Sequence, residues 1–366
     1  MPGERNGHFI MFIVIAIIAF GILIAVHELG HFLAAKIMGV RVTEFAIGMG
    51  PKILKKQGKE TLYTLRLLPF GGFCAMEEDE EATDSRSFTA QKRWKRGVIL
   101  VSGALANLIA AFIIIIILVS GMSGFVGTTI TDIRDEFPYQ GEHGLMVGDT
   151  IVSINGERLY YADDFHMFMT LSEGRPVDLG IRREGETIML YNFPLERREF
   201  IIDGEPQLRF GITFNSIEPT FGASLRYSGY TAMNYARIIR ISLAQLISGA
   251  AGLGDLFGPV GIVDSMNAVG QASPNVGVAI RNIAGFAAII GVNLAVINLL
   301  PIPALDGGRV VFLFISWAIE KIIRRRLDPK YEGYIHTAAL VLLMGLMVFT
   351  VVNDVLRIVG RSGNYG

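Results

Sequence analysis

Residues Phe9–His31 read FIMFIVIAIIAFGILIAVHELGH. From Phe9 to Val26 there is no charged side chain; two imidazoles and a carboxylate then follow at His27, Glu28 and His31. With the motif, the run is long enough to cross a bilayer core, which takes about 20 helical residues. On a helix, positions four apart project from one face, so His27 and His31 point the same way. Neutral imidazoles at that spacing can bind one Zn2+, and Glu28 beside them is placed to take a proton from an attacking water. Burying three polar side chains at the end of a span costs several kcal/mol unless they are satisfied, which a metal would do. The plainer alternative is a polar cap on a helix entering the cytosol. With only six histidines in the chain, two flanking a glutamate in this pattern argue for the metal. A cleaved leader fits poorly, because no small-x-small site follows and the motif sits where cleavage would fall.

The bulk composition agrees. The chain has 366 residues, 51% hydrophobic and 18% charged, and its mean hydropathy is +0.45. That is more apolar than one soluble core requires. A net charge of −1 gives no reason to expect nucleic acid as a partner. The single cysteine, Cys74, excludes an intrachain disulfide and a multi-thiolate metal site. Three further runs are apolar enough to span: one within Gly97–Ile130, then Ile283–Leu300 and Thr337–Val352. The expectation is a polytopic α-helical protein with about four transmembrane helices, embedded in the inner (plasma) membrane with lipid bilayer around it.

Orientation follows from short basic flanks. Lys52, Lys55, Lys56 and Lys59 follow the first run, and Lys92, Arg93, Lys95 and Arg96 precede the second. Lys321, Arg324, Arg325, Arg326 and Lys330 lie between the third and fourth. Alternating spans put all three clusters on one side, the cytoplasm, with both termini and the segment between spans two and three outside.

The outward segment, Thr128 to Ala279, has two characters. Its first part alternates apolar and polar residues between Gly and Asp turns, as small β-rich domains do. Its second, Ala223–Gly249, has helical apolar spacing but carries Arg226, Arg237 and Arg240. Those arginines favour a helix lying on the membrane surface over a fifth span. Between spans one and two, EFAIGMGPKILKKQGKETLYTLRLLPFGGFCAM has strand character through Tyr63–Leu67 and turn glycines at Gly48, Gly50, Gly71 and Gly72. A short sheet dipping into the membrane beside the helices fits this pattern. The acidic run Glu77–Glu81 reads as a solvated loop. The expected organisation is residues 1–36 (first span), 37–91 (re-entrant β-region and loop), 92–127 (second span) and 128–200 (β-domain). Then come 201–279 (surface helices), 280–308 (third span), 309–336 (loop) and 337–366 (fourth span and tail).

Asp306 follows a span with no other acid, after Pro301 and Pro303 break the helix. A carboxylate on unwound backbone at membrane depth is either paired or coordinating. Spans one and three both run inward, so His27, His31 and Asp306 share a cytoplasmic depth. The alternative is an ion pair with Arg309. Asn293 and Asn298, on the same span, can bond backbone or substrate, or join helices.

HELGH ending the first span and NLLPIPALDGG ending a later one resemble the site-2 protease family of intramembrane zinc metalloproteases. GMGPK with LLPFGGFCAM is similar to that family's re-entrant β-region, and Val101–Asn107 to its second-span motif. GPVGI at Gly258–Ile262 also corresponds, and His143–Glu157 resembles a PDZ signature, with Gly148-Asp149 at a turn. The likeness covers nearly the whole chain and is nearest the bacterial regulator-of-sigma-E type, with a single extracytoplasmic PDZ-like domain. It implies His27, His31 and Asp306 as zinc ligands, Glu28 as the base, and Asn293 and Asn298 near substrate. It also implies regulated intramembrane proteolysis of a single-span substrate such as an anti-sigma factor, already trimmed outside by a site-1 protease. Pairing of an unwound substrate with the re-entrant sheet is expected through Tyr63, Leu65 and Leu67. The rival readings are a metal transporter and a non-catalytic PDZ receptor with a structural metal. Glu28 and the PDZ-like domain argue against the first, and a ligand set of only three against the second.

Overall fold

The charge-free run and the histidine motif lie on one rod, helix α1 (Pro2–Met38). The computed structural model describes residues 2–76, 84–202, 205–324 and 329–363. The acidic run Glu77–Glu81, with Arg325 and Arg326, lies outside the described residues. The chain divides into two units: Met1–Ile115 with Tyr235–Gly366, and Ile116–Asn234.

The first unit holds α1, then strands β1 (Val42–Gln57) and β2 (Leu62–Met76), then most of α2 (Arg93–Ser120). Among the described residues, four stretches are long and apolar enough to cross a membrane: Ile10–Met38, Arg93–Ser120, Val276–Asn298 and Gly333–Gly360. They coincide with the four runs read from sequence. Every fourth or third residue of α1 (Phe12, Ala16, Phe20, Leu23) is buried against Ala279, Ile283, Ala287 and Ile290 of α6 (Val276–Asn298) and Met266 of α5 (Pro259–Gln271). This is the stripe that a 3.6-residue period produces. The opposite face, including Val14, Ile18 and Ile22, is exposed and apolar, as a lipid-facing surface must be. Between α1 and α2 the helices approach closely: a Cβ on Gly30 would sit 2.4 Å from the Ser102 carbonyl oxygen. Small residues permit such crossings where no hydrophobic effect drives them.

The β1–β2 hairpin is folded across itself. Residues 44–47 face 75–72 on one side and 62–65 on the other, while 52–57 pair with 66–62. The spatial order is therefore 72–76, 42–47, 62–66, 52–57, with the first and last segments as free edges. Glu44 ties the middle together. Slight burial works against its charge. Hydrogen bonds from Arg66 (2.8 Å), Thr64 (2.8 Å) and Lys52 (3.1 Å) outweigh that and hold its carboxyl down at about 2.

Residues 309–336, read as a loop, open instead with a helix, α7 (Asp306–Ile323). Its basic end belongs to the cluster that suggested a loop, but Val310 and Leu313 pack it onto Ile99 and Leu100 of α2. The final helix is α8 (Pro329–Gly363). The arginine-bearing segment forms one helix, α4 (Phe221–Ser248), which is not among the four apolar stretches.

The second unit is built on an antiparallel sheet of β10 (Ile212–Ile217), β3 (Phe125–Ile133), β4 (Thr150–Ile154), β6 (Val177–Arg183) and β7 (Glu186–Phe193), in that order. Strand β5 (Glu157–Arg158) pairs with β4 across a turn in which Asn155 (φ 48°) and Gly156 (φ 81°) take left-handed backbone, as Asn-Gly does in tight hairpins. Helix α3 (Ala162–Leu171) places fully buried Phe165 edge-on to Phe210 and Phe214. A separate pair, β8 (Arg198–Ile202) and β9 (Glu205–Arg209), precedes β10. The sheet thus recruits its outermost strand from beyond residue 200, the boundary that the alternation had suggested.

Asp149, 1% exposed, receives a forked pair from Arg183, Nε at 2.8 Å and Nη2 at 2.7 Å. Removing one member of a buried pair costs about 3–5 kcal/mol because the other charge stays behind. Arg183→Met is therefore expected to loosen this unit in the intact protein, read as faster hydrogen exchange in β4 and β6. Unchanged protection there would refute it.

Candidate metal centre

Helix α1 sets His27 and His31 one turn apart, rings edge to face with centroids 4.8 Å apart. The Nδ1 of His31, a buried residue, lies 2.8 Å from the Ile99 carbonyl oxygen on α2. A carbonyl can only accept, so that nitrogen carries the hydrogen and Nε2 presents a bare lone pair. Asp306 arrives from 275 positions away. Helix α6 ends at Asn298, the Pro301–Pro303 stretch turns the chain, and Asp306 is the first residue of α7. The turn is tight: a Cβ on Gly308 would lie 2.1 Å from the Ile302 carbonyl oxygen.

Three candidate ligand atoms converge. The two Nε2 atoms are 3.2 Å apart, and each lies 3.1 Å from Asp306 Oδ2. Lone pairs this close repel unless a cation or proton stands among them. Ligands about 2.0–2.1 Å from a tetrahedral Zn2+ sit about 3.3 Å from one another, close to this triangle. The residues present therefore fit zinc. Among the described residues this cluster has three members, the count that leaves a fourth position for water or substrate. The alternative pairing of Asp306 with Arg309 is not what the geometry favours, since its carboxylate faces both imidazoles.

Glu28 is half-buried beside the cluster and accepts a hydrogen bond from the Cys74 backbone N–H. Gly72 backs onto it, where a Cβ would come within 3.2 Å of Glu28 Cγ. The free edge 72–76 of the hairpin thus runs beside Glu28. Tyr63 and Leu65 do not lie on that edge: their backbone is flanked by 45–47 on one side and 54–56 on the other. Leu67 follows on the same segment with an exposed side chain. The expectation of a substrate-pairing edge at Tyr63–Leu67 is corrected accordingly, because strand order and not strand character decides which backbone is free. Asn293 and Asn298 are half-buried on α6, Asn298 at its last residue.

One contributor lies within the Val101–Asn107 motif, but sequence reading gave it no role. Gly103 of α2 faces both imidazoles; a Cβ there would lie 2.3 Å from His31 Nε2 and 2.8 Å from His27 Cε1. A glycine within an apolar span signals close approach, yet nothing local says to what.

Comparison with known proteins follows the same lines. The pattern of peptidase family M50 matches residues 15–346. A protein named as a zinc metalloprotease in Clostridium perfringens is 37% identical over 349 residues, covering 94% of this chain and 99% of that protein. Another so named, from Synechocystis, is 34% identical over 360 residues, covering 94% of each. The regulator of sigma-W protease RasP of Bacillus subtilis is 27% identical over 439 residues, covering 96% of this chain and 99% of RasP. Together with the four apolar helices, these matches establish that the chain belongs to peptidase family M50, the site-2 protease family, as a zinc metalloprotease of the membrane.

Proposed function

We propose that the chain hydrolyses a peptide bond within or beside the transmembrane segment of a single-span protein, with His27, His31 and Asp306 holding zinc and Glu28 as the base. The observation that carries this reading is the triangle of two imidazole nitrogens and one carboxylate oxygen, 3.1–3.2 Å on a side, with Glu28 adjoining it. Zinc bound there supplies Lewis acidity, polarising the scissile carbonyl and bringing the pKa of water toward neutrality. Glu28 takes the proton of the attacking water and returns one to the leaving amine. The Ile99 carbonyl fixes the His31 tautomer, an outer hydrogen bond of the kind that orients metal-binding imidazoles.

A helical substrate hides its carbonyls and must unwind before attack. The edge 72–76 beside Glu28 is outermost in the sheet, and its backbone other than the Cys74 N–H would pair with the unwound stretch. Asn293 and Asn298, on the helix that leads to Asp306, serve on the substrate's other side. We take the hairpin and the α6–α7 turn to face the cytoplasm and the second unit to be extracytoplasmic, a reading supported by the basic clusters of the sequence. We read that second unit as a PDZ-like domain, from the Gly148-Asp149 turn, the Asn155-Gly156 hairpin and a helix over an antiparallel sheet. Because RasP is named regulator of sigma-W protease, the substrate is taken to be a membrane-anchored regulator, anti-sigma-factor-like and first cut outside by another protease.

Purified protein in detergent is expected to cleave a single-span reporter, to stop when 1,10-phenanthroline strips the metal, and to resume on added zinc. Cleavage that persists after the metal has been removed would refute the reading.

A further inference from the structure

The turn that presents Asp306 is held from outside. Ala304, two residues earlier, has φ 75°, left-handed backbone that residues with a Cβ rarely adopt. Pro301 and Pro303 have no N–H to give. Of the remaining donors in the turn, those of Ile302 and Leu305 close on the turn itself, to the carbonyls of Leu300 and Ile302. The N–H of Ala304 instead reaches another helix: it donates to Nδ1 of His336, on α8, at 3.0 Å. The His336 ring also stands edge-on to Phe312 of α7, centroids 6.0 Å apart.

We propose that His336 is a positioning residue for the metal centre: its Nδ1 lone pair fixes the strained turn at Ala304 and so aims the Asp306 carboxylate at His27 and His31. This rests on the reading of Asp306 as a zinc ligand. A strained conformation persists only where its surroundings over-determine it, and the acceptor on the last helix adds to the turn's own bonds a hold on Ala304 itself. His336 is not one of the three clustered residues, and its hydrogen bond goes to the turn, so it acts through the turn. The last span thereby becomes part of the site without contributing a ligand.

Two substitutions separate the acceptor from the ring. His336→Phe keeps an aromatic ring against Phe312 but has no acceptor. His336→Asn loses the ring and keeps an acceptor oxygen near the place of Nδ1. Zinc affinity of the full-length protein in detergent is measured by chelator competition, and the visible spectrum of the Co2+-loaded protein reports ligand geometry. His336→Phe is expected to bind zinc about 10–100-fold more weakly, the usual cost of an outer-shell change, with an altered Co2+ spectrum. His336→Asn should stay near wild type in both. Wild-type affinity in His336→Phe, or an equal loss in His336→Asn, overturns the proposal. If His336→Phe aggregates, His336→Leu, which also lacks an acceptor, takes its place: a loss of about tenfold or more beside near-wild-type His336→Asn supports the proposal, and wild-type affinity overturns it. Asp306→Ala in parallel distinguishes the underlying reading, for zinc retained there refutes Asp306 as a ligand whatever His336 does.

Discussion

Glu28→Gln is expected to lower the cleavage rate by about 10²–10⁴-fold, the usual contribution of a positioned acid–base group, while zinc binding stays at the wild-type level. The substitution is nearly isosteric. A glutamine oxygen still accepts the Cys74 N–H that Glu28 accepts now, so the hairpin edge keeps its place. His27, His31 and Asp306 meet one another without help from Glu28. What disappears is a group able to take a proton and hand it on. Reporter cleavage and bound zinc should be measured on the same preparations. A variant that cleaves within tenfold of wild type would remove Glu28 from the chemistry. One that loses zinc would make it a structural neighbour of the metal instead.

The second large effect belongs to a residue with no side chain. In Gly103→Ala the added carbon would meet His31 Nε2 at 2.3 Å and His31 Cε1 at 2.7 Å. His31 cannot easily retreat, because its other nitrogen is tied to Ile99 on the same helix as Gly103. Backing α2 away would give up the close packing of Gly30 of α1 against Ser102 and Ala106. Overpacking of this kind costs about 1–3 kcal/mol, and here the strain falls on the proposed ligands, so zinc affinity should drop about 10–100-fold, with tenfold corresponding to 1.4 kcal/mol. Gly97→Ala is the control on the same helix: a Cβ there meets nothing within 4 Å, so it should be neutral. Equal zinc affinity in the two variants would show that the helices yield where the packing says they cannot.

Much of this site was legible in the sequence because membrane depth makes polar residues conspicuous. His27, Glu28 and His31 end a run with no other charge, and Asp306 follows one behind two prolines. In a soluble protein of ordinary composition the same residues would stand out far less. The four apolar helices were legible for the same reason. The hairpin was legible as strands but not as a sheet: alternation marks Tyr63–Leu67 as extended, whereas the crossing that encloses it between 42–47 and 52–57 depends on long-range pairing. Helix α7 was hidden by its basic end, which matches a loop composition even though Val310 and Leu313 have helical spacing. Strand β10 lies beyond an intervening strand pair, so local pattern could not tell that it returns to β3. Gly103 and His336 act through what they face, and facing is a property of the folded chain.

The span of chain between His31 and Asp306 also bears on synthesis. At elongation rates of roughly 5–20 residues per second, the intervening 275 residues take roughly 14–55 s to make. Throughout that interval the first helix can sit in the bilayer with both imidazoles and the base in place, yet with no carboxylate to complete the centre. On the proposed reading, with Asp306 as the third ligand, a half-made chain lacks a complete centre until the residues after α6 have been made.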